Sequence, residues 1–126
     1  METTTNCSNL LEKTTATSGV IRSNFRWLYN SNLSCQWKLS SNPTIELTFL
    51  KFATEKSRDI VRVYDGGSTS SPLIANYSGH SVPAAIKSSS NELLVTFKSD
   101  THNEHPGFLA KYQGTDALWL WGSYEA

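Results

Sequence analysis

An excess of charge of either sign is the first thing this chain lacks. Its 126 residues carry 11 lysines and arginines against 11 aspartates and glutamates, for a formal net charge of zero. A nucleic-acid binder needs a basic surface to neutralise phosphates, and no basic stripe is present locally either. The same balance argues against a polybasic anchor on a membrane surface. Long apolar runs are missing too: Ala117-Leu118-Trp119-Leu120-Trp121 is far too short to span a bilayer. No segment shows sustained helical periodicity with caps, which sets a helical fold aside. There is no Gly-x-Ser-x-Gly elbow, phosphate-binding loop or dinucleotide fingerprint, so the residues set up no catalytic centre and no enzyme is expected. The start, Met1-Glu2-Thr3-Thr4-Thr5, has neither the basic head nor the apolar core of a secretion leader. In a secreted protein, Met1 would be an expression start on a trimmed mature chain.

Cysteine is nearly absent, with only Cys7 and Cys35. They are either two unrelated buried thiols or one disulfide. Three Asn-x-Ser acceptors bear on that choice: Asn6-Cys7-Ser8, Asn32-Leu33-Ser34 and Asn76-Tyr77-Ser78. Asn42-Pro43-Thr44 is disqualified by its proline. Three glycosylation acceptors beside a single cysteine pair favour a secreted protein, or the extracellular part of a membrane protein, with one disulfide. Closing that loop would restrict the unfolded chain by about 3–4 kcal/mol in the chain-entropy account. Plentiful Ser, Thr and Asn with only 17% charged residues also suit an extracellular β protein.

What is present is a succession of short alternating runs. Ile45, Leu47 and Phe49 alternate with Glu46 and Thr48, and Val61 and Val63 flank Arg62. Leu93, Val95 and Phe97 alternate with Leu94, Thr96 and Lys98, and Phe108, Ala110 and Tyr112 form the last run. Between them lie turn clusters such as Ser40-Ser41-Asn42-Pro43, Asp65-Gly66-Gly67-Ser68 and Lys87-Ser88-Ser89-Ser90-Asn91. The length suits one domain, and the pattern predicts an all-β fold, an antiparallel two-sheet sandwich. Residues 1–16 are polar and Thr-rich and are expected to be loosely ordered apart from the cysteine.

Chemistry concentrates in two places. The stretch Thr54 to Gly67 holds Glu55 and Asp59 at a strand entrance, the kind of oxygen donors a hard cation needs. Phe97-Lys98-Ser99-Asp100-Thr101-His102-Asn103 could bring further oxygens to the same place. On residue types alone these read more readily as solvated loop acids. His102-Asn103-Glu104-His105 lacks the spacing that puts two imidazoles on one helical face, and Pro106 stops a helix, so a solvated loop is expected. Asp65 reads as a turn maker rather than a metal ligand.

The ordered set of motifs resembles the CUB domain family. Cys7, Ser18-Gly19-Val20-Ile21-Arg22-Ser23 and Cys35-Gln36-Trp37-Lys38-Leu39 resemble its opening. The match runs on through Ile45-Glu46-Leu47-Thr48-Phe49, Phe52, Asp59 to Gly66, Ser90-Asn91-Glu92-Leu93 and Phe97 to Asp100. It closes at Gly107 to Tyr112. The resemblance covers residues 7–112, leaving 1–6 as a flexible N-terminal segment and 113–126 as a tail or linker. It implies a jelly-roll-like β-sandwich in extracellular proteins, used for binding rather than catalysis. In many members it also implies calcium at one end of the sandwich.

The matching positions for that site are Glu55, Asp59 and Asp100, with Asn103 and the main-chain carbonyl of His102 completing the later loop. Tyr29, six residues before Cys35, would orient Glu55 by a hydrogen bond. In such members the same carboxylates also accept a lysine or arginine from a protein partner. Two departures stand out. The usual second disulfide is absent, its regions being occupied by Ser57-Arg58 and Ala75-Asn76, and a family Ser-Pro-x-Tyr-Pro stretch is replaced by Ser23-Asn24-Phe25-Arg26-Trp27.

Calcium takes six to eight oxygens at about 2.3–2.6 Å, which three carboxylates, an amide, a carbonyl and water would supply. Without a cation the three carboxylates would repel one another. The expected function is thus calcium-dependent binding or adhesion to an extracellular protein ligand bearing Lys or Arg. The alternatives are a glycan-binding, lectin-like adhesin and a passive module of a larger secreted protease or receptor. The Leu118-Trp119-Leu120-Trp121 alternation is either a linker remnant or an apolar strand that packs on the sandwich or on a second copy of the chain.

Overall fold

Apolar residues at every second position need a second sheet to face, and the chain supplies two. The computed structural model describes residues 3–6, 11–15, 17–23, 34–54, 58–99 and 107–115. Among these run β1 (Thr3–Asn6), β2 (Leu11–Thr14), β3 (Ser18–Arg22), β4 (Ser34–Ser40) and β5 (Ile45–Ala53), followed by β6 (Ile60–Tyr64), β7 (Leu73–Tyr77), β8 (Ile86–Lys87), β9 (Glu92–Lys98) and β10 (Gly107–Gly114). One five-stranded sheet has the order β1-β3-β10-β5-β8, the other β2-β4-β9-β6-β7. The all-β sandwich expected from the alternating runs is the fold observed.

Its pairing is not wholly antiparallel. β1 runs parallel to β3, and β2 runs parallel to β4. Both parallel strands come from the polar stretch expected to be loosely ordered. Edge pairing uses backbone N–H and C=O groups, which a Thr-rich segment supplies without an apolar face, and β-branched Thr suits a strand. At the other terminus β10 runs past Tyr112, with Gln113 opposite Glu46 and Gly114 opposite Ile45. The Thr115 N–H donates to the Thr44 carbonyl at 2.9 Å. Residues 116–126, with the tryptophan-rich tail, lie outside the described residues.

The core is the sum of the inward phases. Cys35, Trp37 and Leu39 of β4, Val61 and Val63 of β6, and Leu93, Val95 and Phe97 of β9 face Ile21 of β3, Ile45, Leu47 and Phe49 of β5, and Phe108, Ala110 and Tyr112 of β10. Phe52 breaks the β5 alternation yet is buried. The register shifts between Leu109 and Ala110, which face Lys51 and Phe49, so Leu50 is the extra residue of a β-bulge. That one insertion rephases the strand and turns both Phe49 and Phe52 inward. Phe108 stands edge-on to Trp37 and to Phe97, each at a centroid distance of 5.5 Å, and ties the two sheets together.

Leu94 belongs to the opposite phase and is nevertheless buried. The Lys38–Glu92 ion pair, at 3.3 Å, lies on the same outer face, and the turn after β6 folds over it. A Cβ on Gly67 would lie 2.6 Å from Glu92 Oε1 and 2.8 Å from Lys38 Cε, and Gly66 holds φ at 148°, so both glycines permit this approach. Asp65 anchors the turn: its N–H donates to the Pro72 carbonyl and its Oδ1 accepts the Ser89 N–H, both at 2.8 Å.

Candidate functional site

Four strands end alike at one end of the sandwich. Stepping two residues along the inward phase leads from Ile21 to Ser23, from Phe52 to Thr54, from Phe97 to Ser99, and back from Val61 to Asp59. Each step leaves the apolar core and arrives at a buried polar side chain: Ser23 2%, Thr54 0%, Asp59 0% and Ser99 5% exposed. The core is therefore closed here by a polar layer drawn from both sheets. Carrying the β6–β9 register one step beyond Ile60↔Lys98 sets Asp59 opposite Ser99.

Two members of the layer act as reciprocal clamps. The Ser23 N–H donates to the Phe108 carbonyl at 3.2 Å, and the Phe108 N–H donates to Ser23 Oγ at 3.1 Å. The Thr54 N–H donates to the Gly79 carbonyl at 2.8 Å, and the Gly79 N–H donates to Thr54 Oγ1 at 3.1 Å. Each clamp holds a strand end where a loop departs. Thr54→Val keeps the shape but strands the buried Gly79 N–H, and should cost about 1–3 kcal/mol in urea unfolding.

Among the described residues Asp59 is the one carboxylate in the layer, and it is fully buried. A carboxylate withdrawn from water must be compensated by hydrogen bonds, a counter-charge or a metal ion. Asp59 is engaged by polar or charged groups within the fold. Its place at the same polar end as Ser23, Thr54 and Ser99 is compatible with a hard, oxygen-loving cation. Among the described residues no cluster of three or more His, Cys, Asp or Glu side chains forms.

Of the other residues singled out from the sequence, Glu55, Asp100, His102, Asn103, Tyr29, Cys7 and Asn32 lie outside the described residues. Glu55 follows the buried Thr54 directly, and Asp100 follows the buried Ser99. Cys35 is buried on the inward face of β4 beside Trp37, and no free cysteine occurs among the described residues. Asn6 closes β1, and Asn76 is exposed on β7. Ser23 and Thr54 belong to no ligand motif in the sequence, and Ser99 enters only as part of the oxygen-bearing stretch Phe97 to Asn103. Their signal was legible as a hydroxyl occupying the next inward position of an apolar alternation.

The CUB domain family matches residues 7–112, and the chain belongs to that family. Cubilin of Rattus norvegicus is 39% identical over 119 residues, covering 89% of this chain and 3% of cubilin. The bone morphogenetic protein 1 homolog of Strongylocentrotus purpuratus is 36% identical over 102 residues, covering 75% of this chain and 16% of that protein. The chain thus spans a small part of these relatives. Among solved structures, the full extracellular region of zebrafish Gpr126/Adgrg6 superposes with a TM-score of 0.70 at 26% identity, covering 86% of this chain and 15% of that one. The MASP-1 CUB2 domain, solved bound to Ca2+, superposes with a TM-score of 0.72 at 19% identity, covering 82% and 97% of the two chains. That last likeness is one of fold. The chain is a module of secreted or extracellular proteins. No helix among the described residues is long and apolar enough to cross a membrane.

Proposed function

We propose that this chain is a non-catalytic, extracellular binding module whose polar end holds calcium and presents carboxylate oxygens to a cationic side chain of a protein partner. The observation that carries this is the fully buried Asp59 in a layer with Thr54 and Ser99, whose next residues are the acids Glu55 and Asp100. Glu55, Asp59 and Asp100, with Asn103 and the His102 carbonyl, would hold the ion, and Tyr29 would orient Glu55. Bound calcium would offset the repulsion among the carboxylates and leave their outward oxygens to accept Lys or Arg. The MASP-1 CUB2 domain bound to Ca2+ supports the cation on grounds of fold.

A disulfide between Cys7 and Cys35 and N-glycans on the Asn-x-Ser acceptors are proposed beside the calcium site and independently of it. The inward, buried setting of Cys35 supports the first, and the exposure of Asn76 supports the second. The test is titration with calcium against a chelator, followed by heat unfolding. A rise in melting temperature that saturates with calcium is expected, and no rise would end the calcium proposal. A glycan array probed with and without calcium separates protein from sugar recognition: sugar binding would favour the adhesin alternative.

A further inference from the structure

Among the described residues the two sheets have four edges, here β1, β8, β2 and β7. An edge strand offers unpaired backbone groups to any other strand, and proteins blunt such edges with charge, brevity or a bulge. β2 carries Glu12 and Lys13, and β8 is two residues long and carries Lys87. β1 and β7 carry no charged side chain at all. Those two strands are also the ones that contain the asparagine of an Asn-x-Ser acceptor, Asn6 in β1 and Asn76 in β7.

β7 is the more hazardous of the pair. Its sequence, Leu73-Ile74-Ala75-Asn76-Tyr77, joins apolar and aromatic residues without charge or proline, and among the described residues it pairs with β6 alone. Ala75 and Tyr77 turn inward, and Tyr77 stacks edge-on against Phe49 at 5.8 Å. The register shift between Val63 and Tyr64 makes Ile74 the extra residue of a bulge. Leu73 sits opposite the outward Tyr64, and Asn76 opposite the outward Arg62. Leu73 is 49% and Ile74 42% exposed, so an apolar edge lies open immediately beside an exposed acceptor asparagine.

We propose that Asn76 carries an N-linked glycan that guards the β7 edge and keeps it from pairing with a strand of a second molecule. The inference rests on the extracellular setting of the chain, where the modification is made, and not on calcium. Transfer takes place before β7 is locked into its sheet, because the acceptor backbone must be free to enter an enzyme. Asn76 Nδ2 attacks the anomeric carbon of an oligosaccharide linked to a lipid pyrophosphate. The C–N bond forms as the C–O bond to pyrophosphate breaks, the amide gives up one proton, and the lipid pyrophosphate leaves. The bulky, hydrated sugar then lies along the strand beside Leu73 and Ile74 and blocks the approach of another edge.

The test is the chain secreted from eukaryotic cells behind an added leader. Peptide mass spectrometry after enzymatic deglycosylation in 18O-labelled water reads occupancy at Asn76. The glycosylated protein is expected to be monomeric by light scattering. N76Q, and separately the folded parent trimmed by an endoglycosidase, should show several-fold more dimer and larger species at equal concentration. S78T, which retains the acceptor, should behave as the parent, and I74K added to N76Q should restore the monomer. An unmodified Asn76 in the secreted protein overturns the proposal. So does a trimmed protein that stays as monomeric as its parent. Either result leaves the calcium-binding proposal intact, and that proposal fails only by its own melting experiment.

Discussion

Asp59→Asn should leave the protein folded and abolish its stabilisation by calcium. The parent, at calcium about a hundredfold above its dissociation constant, gains about 2.7 kcal/mol from binding to the folded state alone. For a chain of this size that is a rise of roughly 10 °C in melting temperature. Asparagine keeps the shape of the buried Asp59 side chain but removes the charge that a cation requires. With chelator present, the variant should melt near the parent, because the repulsion that the proposed neighbours Glu55 and Asp100 would exert on Asp59 is relieved while the interactions of Asp59 within the fold are weakened. With calcium present, the parent should rise and the variant should not. A variant that loses the same stability in both buffers would show that Asp59 serves only internal hydrogen bonds. A variant that keeps the full calcium response would remove Asp59 from the site.

Trp37→Ala should cost about 3–5 kcal/mol, the range for truncating a buried aromatic side chain. Trp37 is 1% exposed and lies edge-on to Phe108, which in turn meets Phe97 and Phe49 at 5.5 and 5.8 Å. Its removal opens a cavity where the two sheets touch. A domain of ordinary stability, about 5–15 kcal/mol, would lose a large share of it. Trp37→Phe should cost much less. It keeps an aromatic ring and discards an indole N–H that is buried with no hydrogen-bond partner among the described residues. Urea unfolding of the two variants checks the order. Equal losses would show that the indole N–H, and not the ring's bulk, matters at this position.

Much of the sandwich could be read along the chain because each strand declares its inward face. Ile45, Leu47 and Phe49, Val61 and Val63, and Phe108, Ala110 and Tyr112 alternate as read and are buried as read. The resemblance to CUB domains over residues 7–112 coincides with the family match. Other features had no local sign. Phe52 is inward only because Leu50 bulges out of register with β10. Leu94 is buried on the outer face, where the turn after β6 folds over the Lys38–Glu92 pair. β1 and β2 form because neighbouring strands offer them an edge.

The site divides in the same way. Asp59, two residues before Val61, is in the inward phase of its strand by simple period-two counting, as Thr54 is after Phe52 and Ser99 after Phe97. The sequence by itself determines that each of these strands runs from apolar to polar on its inward face. Only the tertiary structure decides that the changes occur at one end of one sandwich. Periodicity is a property of a few consecutive residues, whereas the order β10-β5 in one sheet and β9-β6 in the other joins residues about thirty to seventy positions apart. Hydrogen-bond register between distant strands converts four separate polar steps into one buried layer around Asp59.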